Sequence, residues 1–272
     1  MSAEQIQLTS PVINDAVRLE IDGMVGWVVL TRPGQINAIN DAIREGVPQA
    51  LALLQNNPSV RVIVFRGEGE RGFCAGADIK ERRGPESSLQ VRQRMENVRW
   101  IESLDAVSKP VIAAIHGYCM GGGMELVLAC DIRFAAPNAI FALPETGLGL
   151  IPGGGGTQRL SRVVAPGQAL DMLLTGDRMT AEQAQRIGLV SRVASDNAKL
   201  LEEVREFAQR IASKPPTASA FVKKAARAAL ELDLKSGLNL ELDLFALLVP
   251  TKDAREAAQA FSERREPRFT GE

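Results

Sequence analysis

Residues 117–130 read GYCMGGGMELVLAC, a stretch in which three successive glycines lead into an almost wholly apolar run around one acid, Glu125. Met124, Leu126, Val127, Leu128 and Ala129 leave a helix here without a polar face, so the helix must be covered on all sides. A carboxylate on such a helix is either costly or faces a cavity. The glycines give a reason for a cavity. Without side chains, the backbone N–H groups at the opening turn can be approached closely by a ligand. Gly122 and Glu125 are three apart and share a helix face, so an amide donor and a carboxylate would point into the same space. Without Glu125, Gly121–Gly123 would read only as a tight strand-to-helix connection.

The flanks set this segment in an alternating pattern. VRLEID (17–22) and VGWVVLT (25–31) read as strands joined by a tight turn at Gly23. VRVIVFRG (60–67), PVIAAIHG (110–117) and IRFAA (132–136) read as further strands. A helix is expected from about Asn40 to Gln55, and another over 89–104 with Val91, Met95, Val98 and Ile101 on one stripe. The buried helix should run from about Gly122 to Ala129, and 145–158 reads as a glycine-rich loop. From Leu160 the reading is mostly helical. Thr180 is an N-cap with Gln183 three residues on. Leu200, Val204, Phe207 and Ile211 form an amphipathic stripe, which KPP (214–216) ends. Strands alternate with helices for two thirds of the 272 residues and helices fill the rest. This predicts an α/β core over 1–205 and a helical region over 206–272.

Much chemistry is excluded by simple checks. The formal net charge of −1 gives no global field for nucleic acid or an anionic membrane. Three cysteines without CxxC spacing and a single histidine, His116, argue against a zinc site, so no metal is expected. GGGG at 153–156 is not GxxxxGK[ST] and lacks the first-strand setting of a dinucleotide fingerprint. GxSxG is missing, and His116, at the end of an apolar strand, reads as a structural histidine rather than a triad member. No apolar run reaches about 18 residues. With no signal-type N-terminus, a cytoplasmic protein is expected. Carboxylates and backbone donors remain. FCAGADIK (73–80) is a small-residue loop after a buried strand, and PETGLGLIPGGGG (144–156) sets Glu145 beside a proline in a glycine-rich loop. Each alone also fits an ordinary loop.

Together, FCAGADIK, GYCMGGGMELVLACD and PETGLGLIPGGGGTQRL, followed by LTGDRMTAEQAQRIGLV (174–190), resemble the enoyl-CoA hydratase (crotonase) superfamily over roughly residues 15–270. GADIKER and the ending VPTKDAREAAQAFSERREPRFTGE look most similar to its 3-methylglutaconyl-CoA hydratase group. The resemblance implies an α/β spiral of ββα units, with a C-terminal helical region that assembles trimers or hexamers. It also implies reversible syn addition of water to a trans-2-enoyl-CoA, with short-chain enoyl-CoA or 3-methylglutaconyl-CoA as candidate substrates. No cofactor is implied, because coenzyme A is part of the substrate. The implied oxyanion-hole amides are those of Ala77 and Gly122, and the implied acid–base pair is Glu125 and Glu145. Gly153 matches a position that helps hold the reacting water. Ala38, Ala75, Asp78, Ile79 and Lys80 match the coenzyme A surface, with Arg82 and Arg83 as further candidates for its phosphates. Retention of both acids favours a hydratase over a double-bond isomerase of the same fold. Two departures stand out. Gln35 and Ile36 occupy GQIN (34–37), where relatives often carry a basic residue. Arg44 is the only basic residue in 37–58, where RNA-binding relatives are lysine-rich, so no nucleic-acid partner is expected.

Overall fold

The computed structural model describes residues 12–78, 80–81 and 84–272. β1 (Val12–Asn14), β2 (Val17–Asp22) and β3 (Val25–Leu30) form an antiparallel meander in which Val17 faces Leu30 and Asp22 faces Val25. Helix α1 (Asp41–Asn56), capped by the Asn40 side chain, carries the chain back, so β4 (Val62–Gly67) pairs parallel to β3. Its one basic residue, Arg44, is committed to Asp41 and Glu81. Helix α2 (Ser88–Asn97) follows, then β5 (Val111–Ile115), β6 (Tyr118–Met120) and α3 (Gly122–Ala129). β7 (Ile132–Ala135), β8 (Ile140–Ala142), α4 (Gly156–Val163) and α5 (Pro166–Thr175) come next. β9 (Met179–Thr180), α6 (Ala181–Arg186) and β10 (Arg192–Val193) complete the α/β part. The chain ends with α7 (Leu200–Ala212), α8 (Pro216–Ala228), α9 (Leu234–Leu248) and α10 (Lys252–Glu263).

The main sheet runs β1-β2-β3-β4-β5-β7-β10, parallel from β3 onward. β3 and β5 are buried at every residue, as strands covered on both faces must be. One face carries Trp27, Val64, Ile112 and Phe134, closed by Leu200, Val204, Ala208 and Ala212 of α7. The other carries Val28, Ile63, Phe65 and Ala113 and meets α1 and α3. Burying each large aliphatic side chain contributes roughly 1.5–3 kcal/mol, which holds the strands in a register that fixes where their C-terminal ends emerge.

A second, smaller layer lies at those ends. β6 pairs parallel with β8, β8 antiparallel with β9, and Cys74 bridges to Cys119 beside them. The chain thus repeats one winding: a long strand, a short strand in the second layer, then a helix. β5–β6–α3 is one such winding and β7–β8–α4 the next. β4 with the Cys74 segment and α2 forms the one before, so the ββα spiral is realised.

Three expectations need correction or refinement. The helix expected over 89–104 ends at Asn97, and Ile101–Leu104 form a separate 3-10 turn. Val91, Met95 and Val98 stay open to solvent while Ile101 is 2% exposed, so the stripe does not face one surface. α2 has no buried residue and rests on the Ser87–Gln90 capping box and the Arg94–Glu86 ion pair. The loop expected over 145–158 contains a 3-10 turn at Glu145–Leu148, and α4 begins within it, at Gly156. The expected division after residue 205 falls inside α7, whose Ala208 and Ala212 still pack on the sheet.

Candidate active site

Glu125 lies in the first turn of α3 and is 5% exposed. Its Oε1 accepts two backbone bonds, from the Gly154 N–H at 2.6 Å and the Gly156 N–H at 2.9 Å. Gly156 opens α4, so the N-terminus of one helix grips the acid of another. Burial pushes the Glu125 pKa up. The two amides pull against this, and the charges of Glu145 and Glu102 add to the rise. Glu145 opens the 3-10 turn and is half-buried, and burial raises its pKa as well. Its Oε2 is shielded and has no hydrogen-bond partner among the described residues.

The two acids and two amides converge. A Cβ placed on Gly121 would lie 3.1 Å from Glu145 Oε1. One placed on Gly122 would lie 3.9 Å from Glu125 Oε2 and 4.0 Å from the Ala77 nitrogen. Gly76 and Gly121 adopt φ of +91° and +50°, open to glycine at little cost. A Cβ on Gly76 would come within 3.0 Å of the Met120 carbonyl and 3.5 Å of the Gly122 nitrogen. Ala77 forms a parallel bridge with Ile39, built from Ile39 N–H to Gly76 O (2.8 Å) and Asp78 N–H to Ile39 O (2.9 Å). In such a bridge the central residue turns its own N–H away from the partner strand. Gly122 is the first residue of α3, where opening N–H groups have no intrahelical acceptor. Two amides and two carboxyls therefore border one space. That arrangement can stabilise charge on a carbonyl oxygen and move protons beside it.

The expected coenzyme A residues gather on the rim formed by 36–39 and 74–78. Ala75 donates to Ile36 O at 2.8 Å. Ala38 is nearly buried, and its carbonyl accepts from Arg32 Nη1. Asp78 pairs with Arg32 Nη2 at 2.9 Å, which, with the Lys80 N–H, holds its carboxyl below the usual range. Lys80 is exposed at the edge. Ile79, Arg82 and Arg83 lie outside the described residues. Gly153 is exposed, and a Cβ there would meet only the Met95 methyl, at 3.5 Å. The amides that hold Glu125 itself are those of Gly154 and Gly156. Sequence reasoning missed this grip, and missed Arg32 and Asn37 behind the Ala77 loop. A glycine run and a lone Asn carry no spacing signal that separates these roles.

The sequence profile described as Enoyl-CoA hydratase/isomerase matches residues 20–272. The chain belongs to the enoyl-CoA hydratase/isomerase family. Among its relatives is the mitochondrial enoyl-CoA hydratase of Pongo abelii, 41% identical over 90% of this chain and 83% of the relative. The crotonyl-CoA hydratase of Syntrophomonas wolfei is 38% identical over 92% of this chain and 96% of that one. The solved structure of an enoyl-CoA hydratase from Bacillus anthracis superposes with a TM-score of 0.90. It is 39% identical and covers 94% of this chain and all of its own. As an enoyl-CoA hydratase/isomerase family member, the chain keeps a carboxyl on each of two successive windings, Glu125 and Glu145.

Proposed function

We propose that this protein is an enoyl-CoA hydratase adding water across the C2=C3 bond of a trans-2-enoyl-CoA with syn geometry, and catalysing the reverse. The observation that carries the proposal is the convergence of two acids on two amides, in a family whose relatives include named hydratases. Attack at C3 moves negative charge onto the thioester oxygen. The Ala77 and Gly122 amides meet it, each donor being worth about 3–4 kcal/mol of barrier. Glu125, gripped through Oε1, holds and activates the water with its other oxygen. Glu145, with its unpaired Oε2 and raised pKa, carries the proton to C2. Ala38, Ala75, Asp78 and Lys80 form the coenzyme A rim. The reaction needs no cofactor beyond the substrate's own coenzyme A.

Met95 and Ile101 border the glycines beside Glu125. Both are apolar, which supports a short alkyl acyl group of crotonyl size over a dicarboxylic one such as 3-methylglutaconyl. A panel of enoyl-CoA esters containing both tests this. Loss of the enoyl thioester ultraviolet absorbance should be fastest with crotonyl-CoA. Double-bond migration without hydration would make the protein an isomerase instead. The assembly we propose is a trimer or a pair of trimers, supported by the exposed Leu238, Leu242 and Phe245 of α9. A reducing, cytoplasmic setting is supported by three buried cysteines, none in a disulfide.

A further inference from the structure

Asn37 is wholly buried at 0% exposure, yet it lies outside the space between the acids. It follows Ile36, and both adopt left-handed backbone, at φ +53° and +50°. Asn tolerates this conformation; a β-branched residue rarely does. The turn has a visible result. It aims the Ile36 carbonyl at the Ala75 N–H (2.8 Å) and the Asn37 carbonyl at Cys74 Sγ (3.1 Å).

The Asn37 side chain completes the hold. Nδ2 faces three carbonyls, those of Glu68 (3.1 Å), Gly72 (3.3 Å) and Phe73 (3.0 Å). Oδ1 accepts from the Arg32 N–H at 2.9 Å. Three acceptors on one side and a donor on the other fix which way the amide points. Asn37 therefore spans both ends of the 68–73 loop, immediately ahead of Cys74 and four residues ahead of Ala77. Gly67 closes the remaining slack. A Cβ there would sit 2.4 Å from the Phe73 carbonyl and 2.7 Å from Asn37 Nδ2.

We propose that Asn37 is a positioning residue for the oxyanion hole: its side-chain amide fixes the loop that delivers the Ala77 N–H. The proposal rests on the reading of Ala77 and Gly122 as the oxyanion donors. A displaced donor weakens the transition state, where oxygen charge is greatest, more than the bound substrate. The loss should therefore fall on kcat.

Two variants separate the side chain from the backbone. Asn37→Gly keeps the left-handed conformation and deletes the clamp. Asn37→Asp keeps the shape and turns the donating edge into an acceptor. With crotonyl-CoA, both should lose about 100-fold in kcat, with KM within about threefold of the parent. The second readout is the thioester carbonyl stretch of bound butyryl-CoA, labelled with carbon-13 at C1 and read by vibrational difference spectroscopy. The parent should lower that frequency relative to free butyryl-CoA, and the variants should return it toward the free value. Parental kcat and parental frequency in folded Asn37→Gly would overturn the role of Asn37 alone. No lowering in the parent would remove the oxyanion reading and this proposal with it. If neither variant folds, Asn37 serves the fold as a whole and the proposal is also overturned.

Discussion

Glu145 places a shielded oxygen, without a hydrogen-bond partner among the described residues, where burial raises its pKa above the usual carboxylate range. As pH falls, such a group takes up its proton in the folded chain before the unfolded one. It favours folding below its unfolded pKa, and that contribution is lost as pH rises through the folded pKa. The charge that forms as pH rises through the folded pKa is the destabilising state. Glu145→Gln should therefore melt at a higher temperature than the parent at pH 7, with the gap shrinking toward pH 4.5. Its hydration rate should drop by about 10²–10⁴. Thermal melts at the two pH values and turnover of crotonyl-CoA check both halves; a lower melting temperature at pH 7 would contradict the first. At this scale the sequence was informative where chemistry stood out against its neighbours. A lone acid in an apolar helix marked Glu125. Asn37 looked like any other loop asparagine, because its partners are backbone carbonyls up to 36 residues away.

Among the elements, α3 is packed backbone to backbone against the loop that carries Ala77. A Cβ on Gly123 would lie 2.6 Å from Cys74 Cβ and 2.7 Å from the Cys74 carbonyl. Gly123→Ala should therefore push the helix and loop apart. We expect about 1–3 kcal/mol of lost stability in urea titration, with reduced crotonyl-CoA turnover in the protein that remains folded. Unchanged stability and turnover would show that the contact yields freely. The bounds of α3 were legible because its composition leaves no polar face and glycines stand before it. α2 was misjudged because its apolar spacing looked like a core stripe. Chain folding placed Val91, Met95 and Val98 beside an open space and turned only Ile101 inward. Periodicity reports which residues share a face; it does not report what that face meets.

For the whole molecule, the question is what covers α9. Leu244 is its only buried residue, while Leu238, Leu242 and Phe245 lie open on successive turns. A charge in that row should disrupt assembly with little effect on the α/β part. Leu242→Glu should lower the particle mass by mass photometry at micromolar concentration while its far-ultraviolet circular dichroism stays parental. An unchanged mass would remove α9 from the interface. The order of strands and helices was readable along the chain, but the second layer was not. Its strands are two or three residues long, too short for alternation to show.

That layering distributes the chemistry. Ala77 comes from one winding, Gly122 with Glu125 from the next, and Glu145 from the one after. Like tumblers in a lock, the parts line up only when three successive coils have seated on each other, so the proposed site is complete only in the fully wound chain. Under the roles proposed above, the same division would make each part separately adjustable: a change in one coil would retune the acid it carries and leave the backbone donors of the other coils in place.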